Sequence, residues 1–156
     1  MTIRTLYISW LAILLTLIAS VSATAQDALF DKYEDTKGIT TIFISKTMLG
    51  MIPDVKAGRH NIGSVAGKLD QLRILNCENK STIPEVRDFA MKTYKKGKFE
   101  AIMKINEDGE KVTIYQRTLK DGKNEFSLFT ESDGELTIIN IIGKVTLKDI
   151  QGITGK

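Results

Sequence analysis

Few motifs in this sequence have the residue types and spacing of a nucleophilic or metal site, although its 19 acidic residues could supply a carboxylate pair. Ser45 and Lys46 are adjacent after an apolar run, His60 is the only histidine and Cys77 is the only cysteine. Lysine can activate serine in S-x-x-K enzymes, but adjacent residues point to different faces of a helix or strand. Ser45 is therefore interpreted as the N-cap of a following helix rather than as a nucleophile.

The remaining motifs also favour structural interpretations. A single histidine excludes metal sites that need two, and its Gly-Arg-His-Asn surroundings are typical of a polar loop. The Gly63–Lys68 segment lacks the first glycine of a phosphate-binding loop, and Leu69 stands where such a loop needs serine or threonine. Cys77 follows an apolar run and is predicted to be a buried thiol. We therefore predict no catalytic, cofactor-binding or metal-binding residues and no cofactor.

The N-terminus has the pattern of a secretory signal peptide. Arg4 precedes an apolar run over residues 6–18, and Ala23-Thr24-Ala25 is a small-x-small cleavage site. An uncleaved anchor would need about 20 apolar residues, so we expect residues 1–25 to be removed and no stable membrane anchor to remain. The expected location is the periplasm or the outside of the cell.

Residues 26–156 have the length of one domain, and the composition is mixed. The formal net charge of the full sequence is +3, and neither sign forms a long run. A nucleic-acid-binding protein would show a basic stripe, so nucleic acid is not an expected partner. One cysteine cannot form an internal disulfide, so the fold must be stabilised by burial and backbone pairing.

The first half of the domain mixes helices and strands. An opening helix is predicted over 27–36, and the continuous apolar run at 39–44 predicts a strand buried on both faces. Met48 and Leu49 are expected to pack inward on a short helix after Ser45, with Met51 as core filler too. A second strand is predicted over 69–77, and a capped helix between Ser81 or Thr82 and Gly97.

The second half has a strand-and-turn pattern. Asp-Gly pairs at 108–109, 121–122 and 133–134 separate segments with alternating or continuous apolar residues. This spacing predicts a four-stranded antiparallel meander, followed by a short helix that Thr146 caps. The whole is an α+β fold: an antiparallel sheet of about six strands, with helices packed mainly on one face.

A candidate partner surface arises on the other face of this predicted sheet. Ile102, Tyr115, Phe129 and either Ile139 or Ile141 lie at alternation positions opposite the core set. If aligned, they would form an apolar stripe suited to a protein or envelope partner, or to a homodimer. The alternative is that the opening helix or the 54–67 loop covers them.

Four motifs give the chain a family resemblance. They are G-I-T-x-I-x-I-S-K-x-M at 38–48, L-D-x-L-x-I-L at 69–75, E-D-G-E-K-V-x-I-Y at 107–115 and I-x-G-x-V-x-L-x-D-I at 141–150. The chain resembles the small exported proteins of Bacteroidetes-type bacteria classed as domain of unknown function 4252. The resemblance implies a shared fold and no assigned catalytic residue. It also implies a link to sigma-factor genes and thus to an envelope response.

These observations lead to three functional hypotheses. The first is a non-enzymatic binding or interaction domain of the cell envelope. The second is a hydrolase or carbohydrate-active enzyme that uses carboxylates, with the 46–67 loop over its site. The third is an envelope-stress or signalling component connected with a sigma-factor system.

Overall fold

The computed structural model describes residues 25–51, 56–57, 60–61, 63 and 65–154; the predicted signal peptide lies almost entirely outside this range. The helices are α1 Ala25–Tyr33, α2 Lys46–Met51, α3 Ile83–Lys96 and α4 Leu147–Thr154. The strands are β1 Ile39–Ser45, β2 Lys56–Ala57, β3 His60–Asn61, β4 Leu69–Cys77, β5 Glu100–Glu107, β6 Glu110–Thr118, β7 Asn124–Ser132 and β8 Glu135–Gly143. Short 3₁₀ turns span Ala66–Lys68 and Lys120–Gly122.

Six of the strands form one antiparallel sheet. Its order is β1-β4-β8-β7-β6-β5, while β2 and β3 form a separate two-stranded sheet among the described residues. The predicted α+β fold and its four-stranded meander are therefore confirmed. The strand β4 is inserted between β1 and the meander, which leaves β1 and β5 as the two edges of the sheet.

The turns of the meander explain why Asp-Gly pairs occur there. Asp108 and Gly109 both have positive φ, at 48° and 82°. The two-residue turn that matches the twist of a hairpin requires positive φ at both positions, which Asp and Gly tolerate better than most residues. Asp121 and Gly122 also have positive φ, at 64° and 68°, but they belong to a longer connection between β6 and β7 that contains the Lys120–Gly122 3₁₀ turn. The sequence thus sets the register of neighbouring strands through local backbone chemistry.

The two longest helices, α1 and α3, lie on one face of the sheet. Leu29 and Tyr33 of α1 and Val86 and Tyr94 of α3 are buried there against residues such as Ile138 of β8. The buried Cys77 belongs to the same cluster, as the sequence predicted. The rings of Tyr94 and Tyr115 stack with centroids 4.3 Å apart, which adds specific aromatic packing to this layer.

The second face of the sheet is also covered. Leu49 of α2, Val65 before the first 3₁₀ turn, and Ile150 and Ile153 of α4 pack on buried sheet residues such as Phe126. The sheet is therefore enclosed between two helical layers, and most of its apolar side chains are removed from water. Among the described residues, no helix is both long and apolar enough to cross a membrane.

The predicted caps form at two helix starts. The Met48 amide donates to Oγ of Ser45 at 3.4 Å, so Ser45 caps α2. At α4, the Asp149 amide donates to Oγ1 of Thr146 at 3.3 Å, and the Thr146 amide donates to Oδ2 of Asp149 at 2.8 Å. This reciprocal pair is the capping-box arrangement with Asp in the usual Glu position. At α3, Thr82 occupies the cap position without a side-chain hydrogen bond.

One glycine is required by a close approach of two strands. The pairing of β4 with β8 is irregular between Leu69 and Gln71, next to Gly143. A Cβ atom at Gly143 would overlap the backbone carbonyl of Lys68, and backbone atoms cannot rotate away as a side chain can. The Lys144 amide donates to the same carbonyl at 3.0 Å, so this contact fixes the start of α4 against the sheet.

Candidate functional site

The exposed large apolar residues of the described chain lie within ten consecutive positions. Ile42 is 44% exposed, Phe43 59%, Met48 50% and Met51 71%. Isolated exposed apolar residues are common, but clustered ones mark interaction sites. We refer to these four residues as the β1–α2 surface.

The position of β1 in the sheet exposes Ile42 and Phe43. The strand pairs with β4 from Ile39 to Ser45, and no other described strand lies along its outer side. Ile42 and Phe43 point to opposite faces, because successive side chains of a strand alternate. Both lie at the border of the two core layers, where the cover is incomplete. The prediction that 39–44 is buried on both faces is therefore wrong, although the strand itself is confirmed.

The short helix α2 presents the two methionines. Leu49 is buried against the second face of the sheet, whereas Met48 and Met51 point away from it and are exposed. The expectation that Met48 packs inward and that Met51 fills the core is wrong. Because a helix of six residues has room for only one inward position here, its other apolar residues face solvent. Flexible, polarisable methionines suit a surface that adapts to a partner.

The two edges of the sheet differ in how they resist pairing with another chain. The strand β5 carries exposed Glu100 and Lys104, and its pairing with β6 is irregular between Ala101 and Met103. Charges and bulges are the usual protection of a sheet edge. The strand β1, with the sequence ITTIFIS, has no charged residue, and its pairing with β4 is regular throughout. Of the two edge strands of the six-stranded sheet in the described chain, β1 is therefore the unprotected one.

A cleft of about 280 Å³ lies between α1 and β1. Its lining residues are Phe30, Asp31, Glu34, Thr41, Ile42, Phe43 and Arg73. The Arg73 guanidinium lies over the rings of Phe30 and Phe43, at 5.7 Å and 5.3 Å from their centroids. It also pairs with Asp27 at 3.1 Å and with Asp31 at 3.6 Å. The cleft is thus lined by two aromatic rings, Phe30 and Phe43, and by the acidic residues Asp31 and Glu34.

The residues predicted to form an apolar stripe do not share one exposed face. Phe129 and Tyr115 belong to the layer under α1 and α3, whereas Ile139 and Ile102 pack in the opposite layer. Phe129 and Ile139 are buried, as is the alternative Ile141. The predicted stripe is therefore not a surface of this structure. It was inferred from alternation counted separately in each strand, while the observed register places these residues on different faces.

The candidate reactive residues have structural contacts. Lys46 pairs with Asp70 at 2.8 Å, and hydrogen bonds from Lys123 and Lys46 hold the pKa of Asp70 below its usual range. The Cys77 thiol donates to the carbonyl of Asn79 at 3.7 Å. His60 lies in the two-residue strand β3, not in the loop that the sequence predicted. Among the described residues, no group of three metal-ligating side chains occurs.

A buried polar network lies between α3 and the sheet, and no sequence motif indicated it. The carboxylate of Glu125 is fully buried, pairs with Arg117 at 2.6 Å and accepts from Nδ2 of Asn140 at 2.9 Å. Close by on the same face, Tyr94 and Ser127 hydroxyls lie 2.8 Å apart. Burial raises the pKa of Tyr94. The only hint in the sequence was polar residues within otherwise apolar strands.

The fold and this surface define a class: an α+β domain with a six-stranded antiparallel sheet, helices on both faces and one unprotected edge. A family model described as "Domain of unknown function (DUF4252)" matches residues 33–153. The chain belongs to this family, and the match covers all six strands of the main sheet. No curated protein and no solved structure was found to match the chain.

Proposed function

We propose that this protein is a non-enzymatic interaction domain that binds another protein through the β1–α2 surface. The observation that carries the proposal is the concentration of Ile42, Phe43, Met48 and Met51 along the uncharged edge strand and the helix that follows it. A protein that folds around a covered sheet gains nothing in stability by keeping a phenylalanine mostly in water. Such residues are favoured when they contact a partner.

Two properties of the edge support binding rather than a structural role. An edge strand has unpaired backbone amides and carbonyls, to which an extended segment can pair by β-augmentation. The opposite edge is protected by charge and by an irregular pairing, so the fold does provide protection where pairing is unwanted. The lack of such protection on β1 supports the proposal that this edge pairs with a partner.

The proposed place of action is the cell envelope. If residues 1–25 act as a signal peptide, as their pattern predicts, the domain meets its partner in the periplasm or outside the cell. An interaction domain with a single buried thiol needs no disulfide partner in that compartment. The partner is then an envelope or extracellular protein.

The test uses a photo-cross-linking residue placed at position 48 or, as a control, at position 101 on β5, where Ala101 is exposed. The protein that cross-links is purified, and its affinity is measured for the wild type and for a Phe43→Ser/Met51→Ser variant. We expect cross-links from position 48 only. We also expect an affinity loss of at least about ten-fold, as is typical when buried interface anchors are removed.

The free energy of unfolding of the double variant serves as a control. Met51 is largely exposed and Phe43 loses only its contact with Arg73, so this free energy should stay within about 1 kcal/mol of the wild type. Equal cross-linking from both positions, or an unchanged affinity of the variant, would contradict the proposal.

A further inference from the structure

The charge and the aromatic residues of the cleft between α1 and β1 indicate which kind of segment the edge strand β1 binds. We infer that the occupant is an extended segment of another protein that pairs with β1 and places an arginine or lysine side chain in this cleft. The inference rests on the proposed function and adds the chemistry of the partner. The segment would alternate between basic side chains on the α1 side and apolar side chains on the α2 side.

Strand geometry directs a partner's side chain into the cleft. A strand added to β1 lies about 4.8 Å away, and its side chains neighbour those of β1 on the same face. On the α1 face, the β1 residues that border the cleft are Thr41 and Phe43. A partner side chain opposite either of them therefore meets the Phe43 ring and the outer side of α1.

The charge of the cleft favours a cation. Asp31 and Glu34 of its lining carry negative charge, and the one cation of the lining, Arg73, is already shared between Asp27 and Asp31. Asp31 remains 68% exposed despite this contact. The local charge is thus opposite to the net charge of +3 of the whole chain. Such contrast favours a basic group on the partner.

The aromatic part of the cleft favours arginine over lysine. Arg73 lies over the Phe43 ring at 5.3 Å, and the ring is still 59% exposed. A second guanidinium can lie against the exposed part of this ring while its N–H groups bond to a carboxylate of α1. The ammonium of lysine makes the ion pair but stacks less well.

On the α2 side of β1, the partner segment is expected to present apolar side chains. On the α2 side, β1 presents the exposed Ile42 and the half-buried Ile44, with Met48 on the helix that follows. A partner residue opposite Ile42 would bury its side chain against this apolar group. The alternation of the partner therefore follows directly from the two faces of β1.

A second copy of the chain fits this edge less well. The sequence of β1, ITTIFIS, contains no cation. Pairing of two β1 strands would place only uncharged side chains beside the cleft and would add no basic partner for Asp31 or Glu34. The charge of the cleft therefore indicates a segment from a different protein.

The experiment titrates ¹⁵N-labelled protein with an acetylated and amidated peptide, TVRVRVT, which has the length of β1. A matched peptide, TVEVEVT, replaces both arginines with glutamate. Chemical shift changes of the amides of β1 and α1 report binding at the edge. Because the arginines add ion pairs with the carboxylates of α1, we expect the arginine peptide to bind about ten-fold more tightly.

A charge reversal in the cleft tests whether its acidic residues cause the preference for the arginine peptide. Glu34→Lys should weaken binding of the arginine peptide and strengthen binding of the glutamate peptide. The matched control is Glu100→Lys, an exposed glutamate on the opposite edge strand β5, which should leave the ratio of affinities unchanged. High salt should reduce the preference, because it screens exposed charges.

The outcomes separate this inference from the proposed function. Equal affinities for the two peptides at β1 would overturn the basic preference but not the use of the edge. Shift changes confined to β5, or no binding of either peptide, would overturn the inference of a basic strand. A dimer in sedimentation experiments that Phe43→Ser disrupts would also overturn it, with a second copy as the occupant. The proposed function itself fails if cross-linking from positions 48 and 101 is equal or if the Phe43→Ser/Met51→Ser variant keeps its affinity.

Discussion

Asp149 combines a helix cap with an ion pair at the start of α4. One carboxylate oxygen accepts from the amide and the hydroxyl of Thr146 at 2.8 Å, and the other lies 2.6 Å from Nζ of Lys68. The ion pair with Lys68, followed by the bonds from Thr146, lowers the pKa of Asp149 from 3.8 to about 2. A single carboxylate therefore ties α4 to the turn before β4.

This pKa shift predicts how stability depends on pH. A group with a lowered folded-state pKa stabilises the fold above its unfolded pKa, and the contribution is lost as the pH falls through the folded value. Asp149→Asn keeps a cap acceptor but removes the charge. We expect the variant to be about 0.5 to 1 kcal/mol less stable at pH 7. The difference should shrink between pH 4 and pH 2 in urea unfolding experiments.

The matched control for Asp149 is Asp133→Asn. Asp133 also pairs with a lysine, Lys80 at 3.3 Å, but its side chain is fully exposed. This substitution should change stability little at any pH, because exposed ion pairs are screened by solvent. An Asp149→Asn variant as stable as the wild type at pH 7 would show that the charge of Asp149 does not stabilise the attachment of α4.

At the level of elements, a buried ion pair connects β6 and β7. Arg117 and Glu125 are direct partners in the register of these strands. The Glu125 carboxylate is fully buried, whereas Arg117 also donates to the carbonyl of Gly97 at 3.3 Å, just after α3. Removing one member of such a pair leaves a buried charge without its main partner. The pair therefore contributes to the position of α3 on the sheet.

We predict that Arg117→Met lowers the free energy of unfolding by about 3 to 5 kcal/mol, because it leaves the Glu125 carboxylate with only Asn140 as a side-chain partner. The control is Arg87→Met. Arg87 of α3 bonds to Glu131 of β7, but both side chains are partly exposed, so its loss should cost about 1 kcal/mol or less. Urea unfolding of both variants measures the contrast.

A double variant tests the interpretation of this pair. Arg117→Met/Glu125→Met removes both charges and should recover part of the stability lost in the single variant. If the double variant is less stable than Arg117→Met, the cost arises from lost packing of the arginine stem and not from the isolated carboxylate.

The elements differ in how far the sequence predicts them. The meander is predictable because each Asp-Gly turn sets the pairing of the strands on either side, and the Ser45 and Thr146 caps depend on residues three apart. The role of β1 is not predictable in this way. Its place at the edge follows from a pairing with β4, about thirty residues away in sequence, and no local pattern distinguishes an edge from the centre of the sheet.

For the whole molecule, the arrangement of helices on the two faces of the sheet determines which apolar residues are exposed to solvent. The sequence indicated apolar residues on both sides of the sheet but not which helices cover them. Helices α2 and α4 cover the second face, so Ile139 is buried, while the border at β1 leaves Phe43 in solvent. The apolar run at 39–44 correctly predicted a strand, but it did not indicate burial of that strand on both faces. Exposed edge strands and buried central strands can have the same composition.

The proposed export of the whole protein leads to a spectroscopic prediction. Trp10 is the only tryptophan, and it lies in the predicted signal peptide. Protein purified from the envelope or the medium should therefore begin at Gln26 and show no tryptophan emission, with tyrosine emission alone. N-terminal sequencing and fluorescence measure both properties. In an Ala25→Phe variant, a bulky residue at the cleavage site blocks processing, so tryptophan emission should return. Tryptophan emission from the purified wild type, with Met1 retained, would contradict cleavage.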